Sequence, residues 1–185
     1  MKTIQIGLQV WTTKNLRVFK FCNGDFIPIV QDNEEWSKLE SPAMCINPYN
    51  GECYYNWFAV SDPRSLAPAG FYVPSDGEWQ QLVDYCGGDE KAGKFMKSTK
   101  KWDGTGPVKG FNAIPSGYRN SDDGNFNGQG YHGYWWSSSP NGTAAWFRAL
   151  HSGDSSVYRY GGNTRYGFSV RLIKIRKIDP DKNDE

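Results

Sequence analysis

Ile4, Ile6, Leu8 and Val10 alternate with the polar Gln5 and Gln9 near the start of the chain. That period of two predicts a strand over residues 4–10 with one buried face. After a turn at 12–16, residues 17–21 read as a second extended run. Asn23-Gly24-Asp25 is a turn signal, and the apolar run 26–30 follows it. Residues 33–39 have the pattern of a short helix. Residues 41–51 read as loop and lead into the aromatic cluster Tyr54, Tyr55, Trp57 and Phe58. The spacing then becomes helical in VPSDGEWQQLVDYCGG. Ser75 followed by Glu78 is a capping box, in which the hydroxyl takes an orphan backbone N–H and the carboxylate reaches back. Trp79, Leu82, Val83 and Cys86 form the inward stripe, and Gly87-Gly88 ends it. A second short helix over 89–97 would turn Ala92, Phe95 and Met96 inward and Lys91, Lys94 and Lys97 outward.

Beyond residue 100 the pattern is one of turns and short strands. Residues 110–114 are a candidate strand and 121–130 a polar loop. Four further strands are expected at 134–138, 144–150, 155–160 and 166–178. Their connections, Pro140-Asn141-Gly142-Thr143, His151-Ser152-Gly153-Asp154 and Gly161-Gly162-Asn163-Thr164, are short and turn-rich. The default for such a series is an antiparallel meander. Phe168, Val170 and Leu172 share one face of its last strand. Neither an internal repeat nor a linker divides the chain, so residues 1–178 read as one domain and 179–185 as a solvated tail.

Composition sharpens this picture. The chain has 185 residues with 38% hydrophobic and 16% aromatic positions, including eight Trp, eleven Tyr and ten Phe. Its core is therefore expected to be built from flat rings more than from Leu and Ile. Twenty-one Gly and ten Pro favour short elements over long helices. A formal net charge of +1 supplies no field for nucleic acid. No apolar run approaches the roughly 20 residues of a membrane span, so no membrane insertion is expected. The first eleven residues lack the continuous apolar core of a signal peptide. Either an export signal was removed or none is used, as for a virion component assembled inside a bacterium. Cys22, Cys45, Cys53 and Cys86 show no zinc-type spacing and are expected as reduced, mostly buried thiols. A Cys45–Cys53 bridge is the alternative in an oxidising compartment.

The chemistry concentrates between Trp135 and Ile173. From Ser137 to Gly167, 16 of 31 residues are Ser, Gly, Tyr or Asn, with three Arg and one Trp and neither Lys nor Glu. Antibody-like contact surfaces use the same palette, since rings give area at low entropy cost and small polar residues adapt their hydrogen bonds. Ordinary hairpin turns also favour Ser, Gly and Asn. In strands, alternate residues share a face, so Trp146 and Arg148 go together, as do Ser156, Tyr158 and Tyr160. Aligning those two sets predicts one patch of Trp146, Arg148, Tyr158 and Tyr160, rimmed by His151, Asp154, Asn163, Arg165 and Tyr166. Gly161 and Gly162 would let the adjoining turn adapt to a partner. The expected partner is a protein or glycan receptor, with a slight preference for an acidic surface because the patch carries arginines. The alternative is a structural or decoration protein that uses the same loops for subunit contacts in an oligomer.

Six phrases occur in order: IGLQVWTTKNL, YYNWFAV, GFYVPSDGEWQQLVDYCGG, GFNAIPSGYRN, GYWWSSS and GFSVRLI. Together they resemble the Fibrobacter succinogenes major paralogous (FISUMP) domain over residues 4–173. The resemblance implies an α+β, C-type lectin-like fold, with a twisted antiparallel sheet, two helices and long irregular loops. It places the chain in the branch shared with formylglycine-generating enzymes and with variable proteins of diversity-generating retroelements. In the latter, a C-terminal stretch on a ligand face is rewritten, and residues 135–173 lie where that stretch would fall. It also implies a bacterial surface or a phage particle. Formylglycine-generating relatives use a cysteine pair late in the domain, whereas no cysteine follows Cys86. His132 and His151, the two histidines, sit in Gly- and Ser-rich surroundings, and no G-x-S-x-G elbow is present. They read as exposed loop residues, and no catalytic residue is assigned. Calcium-lectin motifs are missing as well. Asp122-Asp123-Gly124-Asn125 has oxygen-rich chemistry but lacks a distal Glu at EF-hand spacing. The expectation is therefore a non-enzymatic domain without cofactor or metal.

Overall fold

The computed structural model describes residues 1–98, 102 and 110–176. The 179–185 tail and residues 177–178 of the expected last strand lie outside them. The chain is α+β with antiparallel pairing between all its named strands.

The N-terminal alternation does not make one strand. It folds into a hairpin, β1 (Thr3–Ile6) and β2 (Gln9–Thr12), with Ile4 opposite Trp11. Gly7 takes φ +56 at the turn, and Leu8 is left 82% exposed. The extended runs at 17–21 and 26–30 pair only through isolated bridges, Lys20 with Phe26 and Ile29 with Met44. Phe26 and Ile29 point to solvent. Helix α1 (Asn33–Ser37) is capped by the Asp32 carboxylate. The expected loop at 41–51 contains β3 (Met44–Ile46), which pairs with β4 (Cys53–Tyr55). The short helix α2 (Trp57–Val60) follows, capped by Asn56, and then β5 (Phe71–Tyr72).

Helix α3 (Asp76–Tyr85) forms as its capping box predicts, with Trp79, Leu82 and Val83 buried. Helix α4 (Ala92–Met96) is shorter than expected, and Phe95 is exposed while Ala92 and Met96 are buried. Lys97 is the larger correction. It is fully buried, and its ammonium donates to the carbonyls of His151 and Asp154, both at 2.5 Å. Residues 110–114 form no strand; Ala113 makes a single bridge to Lys97. A small hairpin, β6 (Tyr118–Arg119) and β7 (Phe126–Asn127), spans most of the polar loop.

The C-terminal meander has three strands: β8 (His132–Asn141), β9 (Ala144–His151) and β10 (Tyr158–Asn163), ordered β10-β9-β8. Residues 161–163 are strand and not turn. The expected fourth strand is reduced to β11 (Ile173–Lys174), which leaves the meander and pairs with β2 and β5. The second sheet therefore runs β1-β2-β11-β5.

The meander separates two packed layers. On one side Trp135 and Leu150 join Trp11, Trp79, Phe111 and Val157 under α3. On the other, Trp136, Phe147 and Ala149 join Tyr55, Phe168, Val170 and Leu172. The expected ring-built core is present: Trp11, Trp79, Trp135 and Trp136 are fully buried.

Candidate functional site

Register decides which side chains meet. Tyr158 lies opposite Ala149, Tyr160 opposite Phe147, Arg159 opposite Arg148 and Gly161 opposite Trp146. Directly paired residues share a face, so the expected patch is split. Tyr158, Tyr160, Phe147 and His151 are on one face, and Trp146, Arg148 and Arg159 on the other.

The second face is charged and closed. Arg148 is 1% exposed and binds Asp76 at the start of α3, with further bonds to the Asp76 carbonyl and Gln80. Arg159 reaches the same carboxylate at 2.9 Å and lies over the Trp146 ring at 3.5 Å. Burial would raise the Asp76 pKa, but hydrogen bonds from Arg159 and Arg148 outweigh it and hold the carboxyl below its usual range. Burial lowers the Arg148 pKa, opposed by Asp76. Arg148 is thus a structural cation and not a contact residue.

The first face is aromatic and partly open. Tyr158 and Tyr160 stack at 5.8 Å with an interplanar angle of 5°. The stack continues to His151, 4.7 Å from Tyr158, and His151 meets His132 edge-on at 4.7 Å. The histidines are therefore cross-strand partners at the ends of β8 and β9, half-buried, and not exposed loop residues. Burial lowers the His151 pKa, with His132 and Lys97 adding to the effect and Asp154 opposing it. Asp154 anchors the β9–β10 connection, accepting from the Ser156 N–H at 2.8 Å and the Tyr158 hydroxyl at 3.1 Å.

Beside this ladder is a cavity of about 290 Å³ lined by Tyr118, Tyr134, Phe147, Tyr160, Tyr166 and Phe168, with Gly161 and Gly162. The two glycines serve close packing. A Cβ on Gly162 would stand 2.8 Å from Phe147 Cε1 and 3.3 Å from Tyr166 Cδ2, and one on Gly161 would strike Asn141. Asn163 is exposed at the end of β10 and accepts from the Arg165 N–H at 3.0 Å. The Arg165 guanidinium donates to the Ser37 carbonyl at 3.2 Å.

Of the nine expected site residues, the structure groups His151, Asp154, Tyr158, Tyr160 and Tyr166 on or beside the aromatic face. Asn163 and Arg165 flank it, while Trp146 and Arg148 are behind the sheet. Tyr118, Tyr134, Phe147 and His132 were missed. His132, Tyr134 and Trp136 alternate along β8, and extending that alternation back to residue 132 would have found two of them. Tyr118 comes from β6, which sequence pattern did not show.

A larger cavity of about 640 Å³ includes Asn15, Glu52, Asn112 and Arg171. Asn15 links several of its polar groups. Asn15 donates to Glu52 and Ser169 and accepts from Trp135 and Arg171. Asp123 is likewise satisfied by Asn125, and the Gly124 carbonyl by Arg119. Among the described residues, no group of three or more His, Cys, Asp or Glu is placed to hold a metal ion, and all four cysteines are free, Cys22 exposed and Cys45 and Cys53 buried. No described helix is long and apolar enough to cross a membrane.

Fold and face together define an α+β domain that presents an aromatic groove and ladder on an edge of its meander. The chain belongs to the Fibrobacter succinogenes major domain family, whose family model matches residues 4–174. No curated protein matches the chain, and no solved structure does.

Proposed function

We propose that the chain is a non-enzymatic recognition domain of C-type lectin-like architecture, working at a bacterial surface or on a phage particle. The observation that carries the reading is the aromatic face. Tyr158 and Tyr160 are stacked on a strand at the sheet edge, beside a ring-lined groove, and Tyr160 is 44% exposed. Rigid rings on a paired strand lose little entropy when a partner docks. Tyr is also enriched among residues that dominate binding energy.

The test immobilises the protein and probes it with a glycan array and with bacterial envelope proteins. The Tyr158→Ala/Tyr160→Ala double variant should fold and lose whatever the wild type captures. Capture unchanged in a folded double variant would move recognition off this face, and turnover by the purified protein would end the non-enzymatic reading.

A further inference from the structure

The walls of the groove specify what it can hold. At about 290 Å³ it is at or below the roughly 300–1,000 Å³ of pockets for drug-sized ligands. It therefore takes one compact group. Tyr118 stands edge-on to Tyr134, Tyr166 and Phe168 at 4.9, 6.0 and 6.2 Å, while Tyr134 and Tyr166 are nearly parallel to Phe168, at 18° and 11°. Tyr160 closes the opposite side and touches the rest through Phe147, 5.8 Å away. The groove is thus lined by a row of three near-parallel rings, Tyr134, Phe168 and Tyr166, with Tyr118 edge-on to them and Tyr160 tilted against Phe147.

Charge decides between ligand classes. The lining contains no basic or acidic side chain. The arginines that would have favoured an acidic partner are elsewhere: Arg148 and Arg159 at Asp76, Arg119 buried against Trp36 and Phe126, and Arg165 bound to Ser37. The carboxylates that act on the flanking phenols are Asp123 near Tyr118 and Asp154 at Tyr158. Burial first, then the neighbouring Tyr118, Tyr160 and Tyr166, push the Tyr134 pKa up to about 12, so its phenol is neutral at physiological pH. What remains in the lining is aromatic, and the faces of aromatic rings attract cations. A sugar would need polar partners for its hydroxyls, and apart from phenols the lining offers none.

We propose that this groove is an aromatic cage for a trimethylammonium group, held by Tyr118, Tyr134, Tyr160 and Tyr166 over a floor of Phe147 and Phe168. The cage rests on the reading of this face as a recognition surface and assigns it a ligand chemistry.

Choline and 3,3-dimethylbutan-1-ol have nearly the same shape and differ in charge, so the test titrates the wild-type protein with each and follows tyrosine ring signals by NMR. Choline should bind at least about tenfold more tightly than the neutral alcohol. Tyr160→Ala should weaken choline by about tenfold while Tyr160→Phe, which keeps a ring face, retains it. A trimethyllysine peptide run alongside separates the sources: tighter binding of choline indicates a small molecule, tighter binding of the peptide a protein. Equal affinity for choline and the neutral alcohol overturns the proposal, as does the absence of saturation by both cations. If Tyr160→Ala fails to fold, the charge comparison on the wild type decides alone. Failure of the wild type to bind choline selectively while it still captures envelope proteins or glycans would overturn the cage and leave the recognition face standing.

Discussion

Three arginines occupy positions where a charge is expensive, and two of them are held without a carboxylate bond. Arg119 donates to the carbonyls of Gly124, Val30, Gln31 and Asp32 and to Asn33 Oδ1. Arg171 donates to Asn15 Oδ1 and to the carbonyls of Thr12, Phe111 and Asn112. Each guanidinium thus satisfies backbone carbonyls from several separate segments, most of them outside strands and helices. Its five donors match this task, and an ammonium's three do not. Arg119→Lys and Arg171→Lys are each expected to cost about 3 kcal/mol or more in urea unfolding, because buried carbonyls lose their partners. A cost near zero would show that water replaces the guanidinium. Arg148 is different, since its partner is Asp76. The Asp76 pKa is lower in the folded chain than in the unfolded one. Its contribution is therefore complete above the unfolded pKa of about 3.8 and is lost as pH falls through the folded value. The stability gap between wild type and Asp76→Asn should be constant near neutrality and close on acidification. A gap that persists at pH 2 would put the aspartate's role in packing.

At the scale of elements, legibility followed the range of the interactions. Helix α3 was readable because its start, stripe and stop lie within fourteen residues, Ser75 to Gly88. The β1–β2 hairpin was not, because alternation passes unbroken through a two-residue turn, and Gly7 was the one local sign of it. The sequence pattern places the third meander strand at 155–160 with 161–164 as its turn, whereas the strand runs three residues later, Tyr158–Asn163. Pairing then fixed Tyr160 opposite Phe147 instead of beside Trp146. A shift of one position exchanges faces, so the predicted patch divides, with Tyr158 and Tyr160 on the aromatic face and Trp146 and Arg148 on the other. Lys97 was misread for a related reason: helical spacing cannot show that two carbonyls of a distant connection wait for an ammonium. Gly162→Ala tests the corrected register. Its Cβ would crowd Phe147 and Tyr166, so about 1–3 kcal/mol should be lost together with groove binding. A turn glycine free to adapt would tolerate the change, and unaltered stability would contradict the strand assignment.

For the molecule as a whole, the meander keeps its ion pairs on one face and the tyrosine–histidine ladder on the other, and the His132–His151 pair at its end couples that ladder to pH. His151 is enclosed by His132, Tyr134 and Tyr158, with Lys97 on its carbonyl and Asp154 beyond. Burial, with His132 and Lys97 adding to it, lowers its folded pKa below the ordinary 6.5. The unfolded chain therefore takes up a proton first as pH drops. Stability should fall from about pH 6.5 downward and level off once the folded pKa has been passed. Most carboxylates titrate lower, near 4, so the two effects separate along the pH axis. Urea unfolding between pH 8 and 5 is expected to show this loss in wild type and a flatter profile in His151→Gln. Protonation would also place a charge against the Tyr158 ring and beside Lys97, so exchange protection of the β9–β10 connection should decline over the same interval. Matching pH profiles for wild type and His151→Gln would remove His151 as the cause. A decline confined to the variant would reverse the sign of the argument. The folded domain is thus expected to present its aromatic face most stably at neutral and mildly alkaline pH, where the His151 imidazole is uncharged and the ladder from His151 to Tyr160 is stacked.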